Sequence, residues 1–296
     1  MSEQTIVIKE KAPMESTNRR QFLQMATVGA ATSLVGTSGA SAAVPQTSGT
    51  SGAMPKLQLG MASYTLRKFD LDQTLKMTGR LNLRYLCLKD MHLPLDSSPD
   101  RIKEAVAKVK TAGLELYAGG VIYMRDEGQV RRAFEYAKEA GMRIIVGVPN
   151  HDLLPLVETM VKQYNIAVAI HNHGPSDKVY PTPESAYELI KNLDRRIGLC
   201  IDIGHTMRSG IDPSEPVERY ADRLLDLHVK DVSAPTAQGS TVEMGRGIID
   251  LPRLFRTLIK TGYAGIASFE HEKDDSDPMP GVAESIGYAR GILATL

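Results

Sequence analysis

The sequence predicts a single (β/α)8 barrel, the TIM-barrel fold, over residues 57–296, and three observations support this prediction. Eight short apolar runs alternate with longer amphipathic segments, which is the pattern of a sheet wound with helices. The runs are apolar throughout rather than at every second position, as in parallel strands buried on both faces. A chain of 296 residues with 42% hydrophobic and 24% charged residues is long enough for one such barrel.

The apolar runs are the predicted strands, and the amphipathic segments are the predicted helices. The strands are expected at residues 57–63, 85–89, 114–118, 143–148, 166–171, 197–202, 224–229 and 265–270. The helices are expected at residues 71–81, 99–112, 126–140, 153–164, 183–193, 215–221, 251–260 and 282–293. Gly113 and Gly141 follow two of these helices, while Thr182 and Asp250 stand at N-cap positions. A doubly wound open sheet is the alternative, but it usually carries a glycine-rich phosphate turn after its first strand, and residues 61–66 contain no glycine.

The N-terminal segment carries the pattern of an export signal. Arg19 and Arg20 precede a weakly apolar stretch, residues 22–36, and an A-x-A cleavage pattern follows at residues 40–42. This order resembles a bacterial twin-arginine signal peptide over residues 1–42. The resemblance implies that the twin-arginine export machinery carries the chain to the periplasm or beyond. A membrane anchor is the alternative, but an apolar stretch of about 15 residues this rich in Gly and Ser is too short and too polar to span a bilayer.

Residues 43–56 are rich in Ser, Thr, Gly and Pro, and they are predicted to form a flexible linker.

Composition limits the partners of the chain. The 35 Lys and Arg balance the 35 Asp and Glu, so no basic excess is available for nucleic acid. The absence of Trp also leaves few platforms on which bases could stack. The two cysteines, Cys87 and Cys200, lie in apolar runs and are predicted to be buried free thiols.

Polar residues gather at the C-terminal ends of the predicted strands, where barrels of this kind place their chemistry. Six of the seven histidines stand there, and the seventh, His151, directly follows the fourth strand. His171, Asp202, His228 and Glu270 are the first polar residues after four consecutive apolar runs. Two imidazoles and two carboxylates at similar height are predicted to bind one divalent cation, with Mn, Zn, Fe or Co favoured over Mg. A metal-free network of buried ion pairs is the alternative.

Four motifs, three of them at these strand ends, resemble those of one protein family. The chain reads IDIGH at 201–205, LHVKD at 227–231, GRGIID at 245–250 and SFE at 268–270. These motifs, in this order, are similar to those of the sugar phosphate isomerase/epimerase family with a xylose isomerase-like barrel. The similarity extends from about residue 57 to the C-terminus.

In that family a Glu, an Asp, a His and a Glu on strands five to eight hold one metal ion. The resemblance carries the last three roles to Asp202, His228 and Glu270. The first role departs from the family pattern: members often read Glu-Asn-His-Gly where this chain has His-Asn-His-Gly at 171–174. An imidazole at position 171 therefore replaces one of the two carboxylates that an epimerase uses as its acid and base.

The resemblance implies a metal-dependent sugar isomerase or epimerase that acts on an unphosphorylated sugar or keto-sugar. Such an enzyme removes a proton from the carbon next to the carbonyl, and the metal stabilises the enediolate that forms. Glu270 is the predicted base, with a role as metal ligand alone as the alternative. His173 is predicted to be the second proton-transfer group. Lys230 is predicted to stabilise negative charge on a substrate oxygen, or else to form only an ion pair with Asp231 or Glu272.

Four further residues are predicted to contact the carbohydrate substrate. His205 matches a substrate-contacting histidine of the family, and the alternative is that it orients Asp202. Arg246 lies between two glycines and offers a five-donor fork for hydroxyl, carboxylate or phosphate groups. Lys89 and His92 lie at the predicted rim, where an ordinary solvated loop is the alternative.

Two other functions stay open from the sequence. A lyase or hydratase acting on 3-keto sugars or glycosides needs one base, a metal-stabilised enolate and a general acid, which suits a site where a histidine replaces a carboxylate. A non-catalytic exported carbohydrate-binding barrel would keep the polar rim without needing the metal. The related barrel endonucleases that act at abasic DNA sites fit poorly, because they gather more metal ligands and this chain lacks a basic groove.

Overall fold

The computed structural model describes residues 57–296. The predicted export signal and linker, residues 1–42 and 43–56, lie outside the described residues. Within the described part the strands are β1 (Gln58–Ala62), β2 (Tyr85–Leu88), β3 (Glu115–Met124), β4 (Ile144–Pro149), β5 (Ala167–His171), β6 (Ile197–Asp202), β7 (Leu224–Val229), β8 (Asp231–Val232), β9 (Thr241–Val242) and β10 (Ile266–Phe269). The helices are α1 (Leu71–Arg80), α2 (Pro99–Thr111), α3 (Glu127–Glu139), α4 (Leu154–Tyr164), α5 (Pro183–Ile190), α6 (Ile203–Arg208), α7 (Ser214–Arg219), α8 (Leu251–Lys260) and α9 (Met279–Leu293).

Eight of these strands close into a parallel barrel in the order β1-β10-β7-β6-β5-β4-β3-β2. Closure is visible at β1, where Met61 pairs with Leu86 of β2 on one side and with Phe269 of β10 on the other. The predicted (β/α)8 fold is therefore confirmed, and the open-sheet alternative is wrong. No helix of the described residues is long and apolar enough to cross a membrane.

Local sequence signals start and end the helices. Thr182 caps α5 by accepting a hydrogen bond from the backbone N–H of Ser185, and Asp250 caps α8 through the N–H of Arg253 at 2.9 Å. Both caps agree with the sequence prediction. Gly113 and Gly141 follow α2 and α3 with φ of 74° and 66°, a left-handed conformation that ends a helix at little cost for glycine.

The core lies between the barrel and the ring of helices, and it also fills the barrel interior. On α8, for example, the spacing of Leu251, Leu254, Phe255 and Leu258 puts all four apolar side chains on the buried face. Cys87 and Cys200 are buried and unpaired, as predicted. The helices thus cover the barrel with apolar side chains.

Three elements differ from the sequence prediction. Strand β3 continues to Met124 instead of ending at residue 118, because it pairs with β4 in two stretches separated by a register shift between Gly119 and Ile122. Helix α6 begins immediately after β6, where a loop was expected. The antiparallel pair of β8 and β9 also follows β7 without a clear apolar pattern. All three lie at or next to the C-terminal end of the barrel and shape its mouth.

Asp231 anchors the loop that contains the GRGIID motif. Its Oδ1 accepts hydrogen bonds from the backbone N–H groups of Val232 at 2.9 Å and Ile249 at 3.2 Å, and its Oδ2 accepts from Gly245 at 2.9 Å and Gly247 at 3.0 Å. A Cβ atom at position 247 would lie 2.1 Å from Asp231 Oδ1, so only glycine fits there. The carboxylate of Asp231 is thus occupied by backbone donors.

We expect Asp231→Ala to lower the free energy of unfolding by about 3 kcal/mol, because buried N–H groups left without an acceptor cost about 1–3 kcal/mol each. Urea denaturation followed by circular dichroism measures the change. Asp250→Ala is the matched control, since loss of an N-cap costs about 1 kcal/mol. A loss for Asp231→Ala no greater than that of the control would contradict the anchoring role.

Candidate active site

The four predicted ligand residues meet at the C-terminal mouth of the barrel. His171 ends β5, Asp202 ends β6, His228 lies in β7, and Glu270 directly follows β10. Their ligand atoms all lie within 4.8 Å of one another. His171 Nε2 is 3.1 Å from His228 Nδ1 and 3.5 Å from Asp202 Oδ2, while His228 Nδ1 is 3.4 Å from Glu270 Oε2. All four side chains are buried. We call this group the HDHE cluster.

The donor atoms of the HDHE cluster fit a divalent cation. With metal–ligand bonds of about 2.1 Å in tetrahedral geometry, neighbouring ligand atoms are separated by about 3.4 Å. The observed separations of 3.1, 3.4 and 3.5 Å match this spacing. The buried Oδ2 of Asp202 faces the cluster and lies 3.5 Å from His171 Nε2. Two imidazole nitrogens and two carboxylate oxygens are suitable ligands for first-row transition ions.

Asp202 is held in place by its own strand end. Its Oδ1 caps α6 by accepting the backbone N–H of His205 at 2.7 Å, which leaves Oδ2 for the HDHE cluster. Asn172 accepts the backbone N–H of Asp202 through Oδ1 at 3.0 Å, and its Nδ2 donates to Thr206 Oγ1 at 3.2 Å. Sequence reasoning missed Asn172, although its place between His171 and His173 in the HNHG motif was a usable signal.

Lys230 places a buried ammonium group between the carboxylates. Its Nζ lies 2.9 Å from Asp202 Oδ2 and 2.7 Å from Glu270 Oε2, and it also contacts Glu272. Lys230 therefore forms the predicted ion pair with Glu272. It does not pair with Asp231, whose carboxylate accepts backbone hydrogen bonds instead. The side chain passes close to α6, where a Cβ atom at Gly204 would lie 2.5 Å from Lys230 Cγ. The glycine of the IDIGH motif thus leaves room for the lysine.

The charges of the site support one another. Burial alone would lower the pKa of Lys230, but Asp202, Glu270 and Glu272 outweigh it and raise the pKa well above its usual value. Burial likewise opposes ionisation of Asp202 and Glu270, yet Lys230 draws the pKa of both carboxyl groups well below their usual range. The predicted alternative of an ion-pair network is therefore present as well. In this network three carboxylates, those of Asp202, Glu270 and Glu272, surround the single ammonium of Lys230.

The two imidazoles of the cluster differ in environment. Burial lowers the pKa of His171 well below its usual value, so this ring is neutral. Burial also disfavours the charged form of His228, but Glu270 and Cys87 outweigh it, and the pKa of His228 is raised. The neutral form that binds metal is thus already present at His171, whereas His228 must release a proton when a cation binds.

His173 and His205 stand above the cluster at the mouth. The ring of His173 is 4.4 Å from that of His171 and 5.7 Å from that of His205, measured between centroids. Burial, together with the neighbouring His205, lowers the pKa of His173 to about 4, so its imidazole is neutral at physiological pH. The backbone N–H of His205 donates to Asp202 and so helps to orient it, which is one of the two roles predicted for this residue. The centroid of the His205 ring lies 6.1 Å from that of His171.

Tyr123 is a mouth residue that sequence reasoning missed. Its ring stacks on His173 at 5.6 Å between centroids, and its hydroxyl lies 3.2 Å from His173 Nε2. Lys89 Nζ lies 6.0 Å from the centre of the same ring and donates to the carbonyl of Val121 at 2.8 Å. The predicted contact of Lys89 with substrate therefore stays a prediction for the β3 side of the rim.

The prediction that His92 contacts substrate needs correction. The imidazole is buried, with Nδ1 at 2.9 Å from Ser63 Oγ and Nε2 at 3.0 Å from Thr74 Oγ1 and 3.1 Å from the carbonyl of Phe69. Both ring nitrogens are used to fasten the segment after β1 to α1. His92 is a structural residue, because neither of its nitrogens is left for a ligand.

The expected role of Arg246 also changes. Its guanidinium forms a two-pronged pair with Glu284 of α9, with distances of 2.5 and 2.8 Å, on the exposed surface. The flanking Gly245 and Gly247 donate their backbone N–H groups to Asp231, so they fix the loop and do not give Arg246 freedom to move toward substrate. A contact of Arg246 with substrate would require the pair with Glu284 to break.

Comparison with known proteins identifies the family. Residues 85–292 match the sequence profile described as the xylose isomerase-like TIM barrel. The chain therefore belongs to the xylose isomerase-like TIM barrel family, as the four motifs indicated.

Individual proteins are similar to parts of the chain or share its fold. The chain is 28% identical over 151 residues to the rhizopine catabolism protein MocC of Rhizobium meliloti, covering 46% of each chain. It is 31% identical over 134 residues to the inosose dehydratase of Geobacillus kaustophilus, covering 40% of this chain and 42% of that enzyme. The alignments thus span less than half the length of these curated relatives. The crystal structure of the IOLI protein with a bound zinc atom shares the fold, with a TM-score of 0.66 and 20% identity over 81% of this chain and 97% of that one.

We expect the protein to bind one divalent metal ion per chain, and His228→Ala and Asp202→Ala to lose it, because each removes a donor from the HDHE cluster. Elemental analysis of the purified protein measures the stoichiometry. His151→Ala is the matched control, since that imidazole is exposed and contacts the carbonyl of Val179 instead. A wild-type protein without stoichiometric metal, or a His151→Ala variant that loses as much metal as His228→Ala, would refute the ligand assignment.

Proposed function

We propose that the protein is a metal-dependent sugar isomerase or epimerase that acts on an unphosphorylated sugar or keto-sugar. The observation that carries this proposal is the HDHE cluster with Lys230 between its carboxylates at the mouth of a xylose isomerase-like barrel. His171, Asp202, His228 and Glu270 would hold the ion, with Mn, Zn, Fe or Co favoured over Mg. Bound there, the ion would supply Lewis-acid stabilisation of negative charge on vicinal substrate oxygens.

Glu270 is the proposed base. Its carboxylate is ionised and held by Lys230 at 2.7 Å, so it can accept the proton from the carbon next to a carbonyl. Return of the proton to the neighbouring carbon gives an isomer, and return to the opposite face of the same carbon gives an epimer. His173, on the next layer of the mouth, is the proposed second proton-transfer group.

Other residues would position the sugar. Lys230 carries a permanent positive charge at the point where a substrate oxygen becomes negative, which lowers the energy of that charge. His205 and Lys89 flank the opening and offer hydrogen bonds to hydroxyl groups. Tyr123 offers an exposed aromatic face beside them.

A dehydratase or other lyase is the second candidate, and the imidazole at position 171 favours it. With one carboxylate replaced, the site keeps Glu270 as its one proposed carboxylate base, and a single base suffices for β-elimination. Glu270 would take the proton from the carbon next to the carbonyl, and the hydroxyl or alkoxyl on the next carbon would leave with a proton delivered by solvent. The similarity to inosose dehydratases supports a cyclic polyhydroxy ketone as one substrate to test.

We also propose that the reaction takes place outside the cytoplasm. The twin-arginine pattern of residues 1–42 supports this location, and sugar phosphates are not expected there. Fusion of residues 1–42 to a reporter that is active only after export tests the location, with Arg19→Lys plus Arg20→Lys as the control.

Incubation of the metal-loaded protein with inosose and with a 3-keto-glucoside in D2O tests the reaction class. Deuterium incorporation without loss of water or aglycone, seen by NMR and mass spectrometry, identifies an isomerase or epimerase. Loss of water or aglycone identifies a lyase. Carbohydrate binding that survives chelation, with neither reaction, would instead identify a non-catalytic binding protein.

In the same assay we expect Glu270→Gln to slow deuterium exchange by about 10²–10⁴-fold, the usual contribution of a general base. The amide keeps an oxygen donor near the metal but cannot accept the proton. Glu188→Gln, an exposed substitution on α5, is the matched control. Exchange by Glu270→Gln at the rate of the control would show that Glu270 is a ligand only.

We expect Lys230→Met to lower kcat by about 10²–10³-fold, the effect of removing one electrostatic group from the transition state. Metal content should be retained, since removal of the ammonium makes the cluster more negative. Steady-state kinetics and elemental analysis on the same preparation separate the two effects, with Lys191→Met on the surface as control. An unchanged kcat would reduce Lys230 to an ion-pairing role.

A further inference from the structure

A second polar layer lies inside the barrel, directly below the HDHE cluster. Residues two apart on a strand share a face, so the residues below Asp202, His228 and Glu270 also point inward. These residues are Cys200, Asp226 and Ser268, and all three are fully buried. Below His171 stands Ala169, which is also fully buried.

Cys200 lies within ligand distance of both imidazoles of the cluster. One ligand atom each from His171, Cys200 and His228 lie within 4.8 Å of one another. The thiol is free, and its nearest polar neighbour is Asp226, with Sγ 3.9 Å from Oδ2. His171 Nδ1 and His228 Nε2 are buried without hydrogen-bond partners. Rotation of the rings toward the sulfur would give up the contacts of His171 Nε2 and His228 Nδ1 within the HDHE cluster.

The two sets of donors differ in chemical preference. Carboxylate oxygens suit Mn and similar ions, whereas a thiolate with two imidazoles suits thiophilic ions. We propose that His171, Cys200 and His228 form a second metal position, below the HDHE cluster, that takes a thiophilic cation such as Cd²⁺. Because both positions use both imidazoles, the thiophilic ion competes with the ion held by Asp202 and Glu270.

The surroundings make this lower position selective. Binding forms a metal–sulfur bond as the Cys200 thiol releases its proton to solvent. The thiol is fully buried, so an ion with weak affinity for sulfur does not displace its proton. Asp226 supplies nearby negative charge or a hydrogen-bond donor, and Tyr117 fixes its orientation by donating to both carboxyl oxygens at 3.1 Å.

Cys87 provides a matched comparison. It is as buried as Cys200 and lies near His228, but it is not one of the three residues whose ligand atoms come together. Its Sγ lies 3.9 Å from the carbonyl of Gly120. A serine at position 87 removes a thiol beside His228 but leaves all three proposed ligands in place.

The test is ¹¹³Cd NMR of the full chain, stripped of metal with a chelator and loaded with an equimolar amount of ¹¹³Cd²⁺. The wild-type and Cys87→Ser proteins are expected to give a resonance in the downfield range of sulfur-ligated cadmium. Cys200→Ser and Cys200→Ala are expected to give only a resonance shifted upfield to the range of nitrogen and oxygen ligands. Circular dichroism checks that both variants fold. If one of the two substitutions disturbs folding, the other still gives the result.

A wild-type resonance in the nitrogen and oxygen range would overturn the proposal and leave the HDHE cluster intact. A downfield resonance that persists in both Cys200 variants, or that disappears in Cys87→Ser, would overturn it as well. Failure of the wild-type protein to bind Cd²⁺ or Mn²⁺ would overturn both this position and the metal dependence of the proposed reaction.

Discussion

The site depends on the neutralisation of buried negative charge. Asp202 and Glu270 come from strands on either side of β7, and both carboxylates are removed from water. Ionised groups in such surroundings are stable only when opposite charge lies close by. Lys230 provides it, extending from the end of β7 between its two neighbours. The ammonium keeps both carboxylates ionised and therefore able to bind a cation and accept a proton.

The barrel supplies the geometry that this charge balance requires. Closure brings the ends of β5, β6, β7 and β10 to one side of the mouth, so side chains far apart in the sequence share a small volume. Asp202 divides its two oxygens between the start of α6 and the HDHE cluster, which ties the position of a ligand to the position of a helix. Asn172 adds a link from β5 to β6. The ligands are thus held by the same hydrogen bonds that continue the fold.

Much of this arrangement could be predicted from the sequence, because parallel strands buried on both faces are apolar and the first polar residue after each one marks its end. That rule identified His171, Asp202, His228 and Glu270, and the structure brings all four together. It failed for His92, since a polar residue near a strand end can turn back and fasten a neighbouring segment.

The rule also failed where backbone pairing continues past an apparent strand end. Two glycines in the middle of β3 interrupt its apolar run, while hydrogen bonding to β4 resumes beyond them and carries Tyr123 to the mouth. The short β8 and β9 depend on the docking of the GRGIID loop onto Asp231, a tertiary contact without local periodicity.

The imidazole at position 171 affects the net charge that the HDHE cluster would have with a bound cation. With a bound dication, the family set of three carboxylates and one imidazole would carry a net charge of −1. Two carboxylates and two neutral imidazoles would carry no net charge. Such a centre would repel an approaching anion less than a singly anionic one would.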